Sequence, residues 1–178
     1  MTSMQPQFPG QPKWPNVPAC FEWLSLDRRG DWRLQGERVT HHGLVEFMNR
    51  QYGSDEAGRW FVQNGPQRVY VDLACTPWVF RRDGEGFVSH TGASAGEVRA
   101  VLLDDEGSFL IEAELGIGLL DDRDLAACLA ECSPDDETSL LAFLRDAAPP
   151  VRWRDLPLTR IAAAELAARY RFVAQPRG

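Results

Sequence analysis

The pattern that most limits how this chain can fold lies between Trp60 and Leu115, where short apolar runs are broken by polar, glycine-containing tetrads. Asn64-Gly65-Pro66-Gln67 separates Trp60-Phe61-Val62 from Val69-Tyr70-Val71-Asp72-Leu73. Asp83-Gly84-Glu85-Gly86 separates WVFRR from FVSH, and Asp104-Asp105-Glu106-Gly107 separates VRAVLL from SFLIEAEL. A period of two puts successive side chains on opposite faces of a sheet, and the interruptions hold residues that tolerate chain reversal, so the region predicts strands joined as hairpins. In the first interruption Asn64 and Gly65 accept the φ values of a reversal, while Pro66 fixes its own φ and cannot donate to a ladder. A plain turn suffices to explain these residues, with a ligand-binding loop as the alternative.

Upstream, FEWLSL alternates before a turn at Asp27-Arg28-Arg29-Gly30-Asp31, and Gly36 divides WRLQ from ERV as in a tight hairpin or bulge. Thr40 stands where an N-cap would, and Leu44, Phe47, Met48 and Gln51 or Tyr52 follow at helical spacing; this predicts a helix ending at Gly53, with a loop from Ser54 to Gly58. The final third predicts helices. Asp121 or Asp122 caps one running through Leu125, Leu129 and Cys132, and Ser133-Pro134 opens a second that buries Leu140, Leu141, Phe143 and Leu144 before Pro149-Pro150. A third runs from about Leu158 to Tyr170 through Ile161 and Leu166. The expected class is α+β: a mainly antiparallel sheet, a meander of hairpins, packed against one early helix and two or three C-terminal helices. Residues 1–18 hold five of the twelve prolines and read as an extended tail that Phe8 and Trp14 can pin. Residues 19–178 are expected to form one domain, with two small lobes of about 19–90 and 91–178 as the alternative division.

The order Arg29-Gly30-Asp31-Trp32, Gly36, Val39, the helix with Leu44, Val45 and Phe47, then Asp55-Glu56-Ala57-Gly58-Arg59-Trp60-Phe61-Val62 and Val69-Tyr70-Val71-Asp72 resembles a family of uncharacterised, mostly proteobacterial proteins classed as a domain of unknown function. The resemblance runs roughly from Asp27 to Leu129. It implies an α+β fold and carries no catalytic motif; the proline-rich tail and the two C-terminal helices lie outside its pattern.

At 44% hydrophobic and 25% charged residues the chain can build an ordinary core. A formal charge of -7 works against an extended phosphate-neutralising surface, so nucleic acid is not an expected partner. No apolar run approaches the roughly 20 residues that cross a bilayer, and the first residues lack the basic start and apolar middle of a secretory signal. A cytoplasmic protein with no membrane partner is therefore expected, its four cysteines reduced.

Chemical motifs are sparse. There is no Gly-x-Ser-x-Gly elbow, phosphate-binding loop or dinucleotide fingerprint, and no cofactor is implied. His41, His42 and His90 are the candidate metal ligands, although adjacent residues on a helix point about 100° apart and cannot both reach one ion as an i, i+4 pair can. Cys128 and Cys132 have that i, i+4 spacing on a predicted helix, yet they also belong to its apolar stripe with Leu125 and Leu129. The acidic clusters at 104–106, 121–124 and 135–137 fall in a turn and in first helical turns, where negative charge is at home. Arginines 152, 154, 160, 169, 171 and 177 make the C-terminal segment basic, suited to docking within the chain or on a protein partner.

Two functional readings follow. The first is a non-catalytic, cytosolic interaction or small-ligand-binding module, with Asn64, Gln67, Tyr70 and Trp78 as ligand or partner contacts and Trp60 beside them. Its partner is a small ligand or another protein, with a homodimer left open. The alternative is a small hydrolase or metal-dependent enzyme using His41, His42 or His90 with an acidic residue or Cys75.

Overall fold

A computed structural model of the chain describes residues 15–133, 141–143, 145 and 150–178. These residues gather into two compact units, 15–77 with 171–178 and 78–170, so the second interrupts the first in sequence.

In the first unit, strands β1 (Ala19–Leu26), β2 (Trp32–Leu34), β3 (Glu37–Arg38), β4 (Tyr52–Ser54), β5 (Trp60–Asn64) and β6 (Gln67–Leu73) form a sheet of order β3-β2-β1-β6-β5-β4. The expected hairpins at Gly36 and at Gly65 are present. The central pairing, β1 with β6, is parallel. Leu24, Leu26, Val62, Val69 and Val71 are buried on one face, and helix α1 (His42–Arg50) buries Leu44 and Met48, which its 3.6-residue period places on one side. Trp32 is buried as well, its indole N–H donating to Asn49 Oδ1 at 2.7 Å.

Helix α1 starts and stops differently from the expectation. His41, not Thr40, is the N-cap: its backbone is extended and its Nδ1 accepts from the Leu44 N–H at 3.2 Å. The last turn closes on Gln51, and Gly53 lies inside β4, paired with Phe61. The reason is non-local. Tyr52 is held in strand geometry by packing edge-on against Trp32 at 5.1 Å and at a tilt against Trp60 at 4.8 Å, while its hydroxyl donates to the Pro77 carbonyl.

In the second unit, β7 (Trp78–Asp83), β8 (Gly86–Ser89), β9 (Val98–Asp104), β10 (Phe109–Ala113), β11 (Gly116–Leu120), β12 (Cys132–Ser133), β13 (Arg152–Trp153) and β14 (Leu156–Ile161) form a sheet of order β12-β13-β14-β9-β10-β11-β7-β8. Short helices α2 (Leu125–Leu129) and α3 (Leu166–Tyr170) each follow a 3-10 turn, at Asp122–Asp124 and Ala163–Glu165. The Asp83-to-Gly86 and Asp104-to-Gly107 hairpins are as expected, but β7 pairs parallel with β11 and β9 parallel with β14. Both sheets are thus mixed, and the antiparallel meander is only part of the architecture. Parallel neighbours are joined by long crossovers, which no local turn signal marks.

Two helical expectations also change. Cys132 leaves the helix of Cys128 and pairs with Trp153 in β12, so the two cysteines are not an i, i+4 helical pair. The segment from Leu158 to Ile161 is strand, aligned with β9 from Val101 to Asp104, and only Leu166–Tyr170 is α-helical. Backbone pairing with a distant strand outweighs the weak local helical pattern. The expected helix opening at Ser133-Pro134 falls on residues 134–140, outside the described residues; Ser133 itself is in β12.

Gly116 and Gly118, too sparse for a phosphate loop, have a packing role. A Cβ at Gly118 would collide with the Phe80 ring, and one at Gly116 would press the Trp78 indole at 3.0 Å. The aromatic side chains of β7 occupy the space that β11 leaves bare.

One turn recurs in both units, at Asp27–Asp31, Asp55–Arg59 and Asp104–Ser108. In each, the glycine N–H donates to the aspartate carbonyl at 3.0–3.1 Å, and the aspartate N–H donates to the carbonyl four residues on at 3.0 Å. The aspartate Oδ1 accepts the N–H groups of the second and fourth following residues, at 2.9 and 2.9 Å, 3.0 and 3.0 Å, and 2.9 and 2.7 Å respectively. Asp-x-x-Gly supplies what this needs: a short acceptor side chain, and a glycine at φ 80°, 80° and 83°.

Candidate functional site

The strands flanking Asn64-Gly65-Pro66-Gln67 present two chemically different faces. Val62, Asn64, Gln67, Val69 and Val71 are buried, while Arg59, Phe61, Arg68, Tyr70 and Asp72 alternate with them on the outer face. Phe61 and Tyr70 are direct cross-strand partners, with rings in an edge contact at 5.8 Å. Phe21 joins them from β1. A register shift between Cys20 and Leu24, with Glu22 at φ 61°, accompanies its placement, and its ring stacks on Tyr70 at 4.8 Å and 3°. Tyr70 is consequently only 4% exposed although it sits on the outer face.

Two arginines lie on these rings. The Arg59 guanidinium is 4.8 Å from the Tyr70 centroid, and that of Arg68 is 4.5 Å from the Phe61 centroid. Contacts of this kind are worth about 0.5–1 kcal/mol when exposed, enough to hold the guanidinium planes in place. Arg59 Nε also donates to Asp55 Oδ2 at 2.9 Å, and the Tyr70 hydroxyl lies 3.4 Å from the same oxygen. Burial pushes the Asp55 carboxyl up, but the Arg59 backbone N–H, the Arg59 guanidinium and the Ala57 N–H together hold it below its ordinary value. Arg68 is exposed, and among the described residues no carboxylate pairs with it. A concavity of about 540 Å³ opens beside these groups, lined by Ser54, Asp55, Glu56, Ala57, Arg59 and Arg68.

The residues singled out from the sequence have diverse surroundings. Asn64 and Gln67 are 0% and 3% exposed. The Asn64 amide donates to Gln67 Oε1 at 3.4 Å, and Gln67 Nε2 donates to the carbonyls of Pro15 and Val17, the latter at 2.6 Å. Together with Arg68 N–H on the Pro18 carbonyl, these bonds seat the chain's own segment 15–18 beside the turn. Tyr70 belongs to the outer face just described. Trp78 and His90 lie in the second unit with ring centroids 5.8 Å apart. Burial lowers the His90 pKa to about 3, and its Nδ1 accepts from the Val79 N–H at 3.3 Å, so the imidazole is neutral at ordinary pH. His41 caps α1 and exposed His42 begins it. Among the described residues, no group of three His, Cys, Asp or Glu side chains gathers as a metal site would require. Burial raises the thiol pKa of Cys20 and Cys128, and that of Cys132 to about 11. Part of the basic C-terminal segment is engaged inside the fold, Arg154 with Glu131 and Arg177 with Asp72.

Arg59, Phe61 and Arg68 escaped the sequence reading. Their signal was present in the alternation itself: with Val62, Val69 and Val71 turned inward, the intervening Arg59, Phe61, Arg68 and Tyr70 must share the other face.

Among solved structures, the chain is similar to a DUF1285 family protein from Silicibacter pomeroyi DSS-3, with 17% identity, a TM-score of 0.48, and coverage of 64% of this chain and 70% of that one. A DUF1285 family protein from Shewanella baltica OS155 matches with 15% identity, a TM-score of 0.44, and coverage of 57% and 86%. No curated protein matches the chain. Among the described residues, no helix is long and apolar enough to cross a membrane. The family DUF2944, described as a protein of unknown function (DUF2946), matches residues 10–177, a wider span than the Asp27-to-Leu129 resemblance. The chain belongs to this family of unknown function.

Proposed function

We propose that the chain acts by binding, without a chemical step of its own, and that the outer face of the first unit around Phe61, Arg68 and Tyr70 is its recognition surface. The observation that carries this reading is the exposed Arg68 guanidinium, held over the Phe61 ring at 4.5 Å beside a concavity of about 540 Å³. A guanidinium positioned by an aromatic face loses less freedom on contacting a ligand than a solvated one, and arginine with tyrosine or another aromatic is the composition typical of binding hot spots. The reading retains Tyr70 from the sequence and adds Arg59, Phe61 and Arg68. The hydrolase or metal-enzyme alternative has less to stand on, because His90 is neutral with its Nε2 buried, and among the described residues no three His, Cys, Asp or Glu side chains gather as a metal site would require.

The test is an amide NMR titration of the full chain with indole, benzamide and benzoate as separate probes. Shifts are expected to concentrate at Ser54 to Arg59, Phe61, Arg68 and Tyr70. Shifts gathered on another surface, or none with any probe, overturn the reading.

A further inference from the structure

We infer that the concavity beside Arg68 takes a carboxylate group, borne by a small organic acid or by an acidic side chain of a partner protein, with Arg68 as its principal contact; this rests on the binding reading above. Two arginine-on-ring contacts lie side by side on one face of one sheet. Arg59 over Tyr70 and Arg68 over Phe61 are adjacent arginine-on-ring units, built on the directly paired residues Phe61 and Tyr70. In the first unit of this pair the guanidinium holds a carboxylate, Asp55, with Nε to Oδ2 at 2.9 Å. The second has the same cation and the same aromatic support, and its guanidinium fork is left to solvent. The ligand class that completes it is the one its neighbour already holds.

The surroundings favour a carboxylate in two further ways. Asp55 does not compete for Arg68, since its oxygens already serve the Ala57 and Arg59 N–H groups, the Arg59 guanidinium and the Tyr70 hydroxyl. The chain's net charge of -7 is also unevenly divided. Residues 78–170 contain nine Arg and eighteen Asp or Glu, a formal -9, whereas the remainder contains Lys13, nine Arg and eight Asp or Glu, a formal +2. An acidic ligand approaching the first unit meets no like-charged excess on it. A guanidinium offers two parallel donors to a carboxylate, a geometry lysine cannot supply.

The experiment is the same NMR titration at low ionic strength with glutarate, a hexapeptide of alternating Glu and Gly, and inorganic phosphate, on the natural chain and on Arg68→Gln, Arg68→Lys and Arg50→Gln. Arg50 is an exposed arginine at the end of α1 and controls for general charge. Glutarate or the peptide should shift Ser54 to Arg59 and Arg68, and which of the two binds tighter identifies the source of the carboxylate. Arg68→Gln should weaken that binding about tenfold, Arg68→Lys by an intermediate factor, and Arg50→Gln not at all. Equal weakening in Arg68→Gln and Arg50→Gln, or binding of phosphate alone, overturns the inference. Indole or benzamide shifting this face while neither carboxylate does also overturns it, and leaves the binding reading intact; silence from every probe overturns both.

Discussion

The turn at Asp55–Arg59 in the first unit and the turn at Asp104–Ser108 in the second share the same backbone bonds, yet they have opposite surroundings. At Asp55 the second carboxylate oxygen is engaged by Arg59 and Tyr70; at Asp104, which is 1% exposed, Oδ2 has no hydrogen-bond partner among the described residues. At Gly58 an added Cβ would strike the Arg171 carbonyl, because residues 171–178 return to the first unit and Val173 N–H donates to the Gly58 carbonyl at 2.8 Å. At Gly107 it would meet nothing within 4 Å. A short motif can therefore dictate its own hydrogen bonds while leaving its contribution to stability to whatever the rest of the fold brings against it.

The sharpest way to break this comparison is to add one methyl group in each turn. Gly58→Ala should cost about 3–5 kcal/mol, combining a left-handed φ with a backbone collision, whereas Gly107→Ala should cost only about 1–2 kcal/mol for its φ. Urea denaturation of the two variants measures both, and equal losses would show that the returning C-terminal segment does not constrain Gly58.

Acid should expose a second difference between the units. His90, in the second, has its folded pKa lowered to about 3 from the ordinary 6.5, so between those values the unfolded chain takes up a proton that the folded chain refuses. Stability from this group is complete above pH 6.5 and declines on acidification towards 3, by at most about 1.4 kcal/mol per pH unit. Asp55, in the first unit, has its pKa lowered from 3.8, so its contribution is fully present above that value and is lost as the pH falls through the lower folded value. His90→Asn, which keeps an acceptor near the Val79 N–H, should flatten the stability profile between pH 6.5 and 3 without changing the loss at lower pH. A profile unchanged by the substitution would remove His90 as its cause.

A smaller effect separates the two carboxylates. Asp55→Asn keeps the Oδ1 acceptor but gives up the charged bond to Arg59, for an expected loss of about 1.5 kcal/mol. Asp104→Asn should change stability by less than about 0.5 kcal/mol in either direction, since Oδ2 supports no partner. Both are read from denaturation midpoints at neutral pH, and a larger loss at Asp104 would contradict the unequal roles assigned here.

How much of this was legible beforehand depends on the range of the interaction. The hairpin strands around Asn64-to-Gln67, Asp83-to-Gly86 and Asp104-to-Gly107 followed from alternation and turn residues, because both signals act over a few bonds. The outer-face cluster was only half legible: alternation put Arg59, Phe61, Arg68 and Tyr70 on one side, but the stacking of Phe21 on Tyr70 required the register shift in β1, for which FEWLSL carries no mark. Asn64 and Gln67 had the right composition for a turn, while their burial depended on the segment 15–18 that their amides receive.

By itself the sequence determined the α+β class, the hairpin turns and the presence of an early helix, since each depends on local φ preference or on periodicity within one element. The tertiary structure alone decided the parallel pairings of β1 with β6, β7 with β11 and β9 with β14, and with them the fate of Cys132 and Leu158 in strands rather than helices. It also decided that Arg59 would meet a carboxylate of its own chain and that, among the described residues, Arg68 would not. Those outcomes depend on which distant backbones and side chains are brought together, and a marginal local preference yields wherever such contacts supply more free energy than it does.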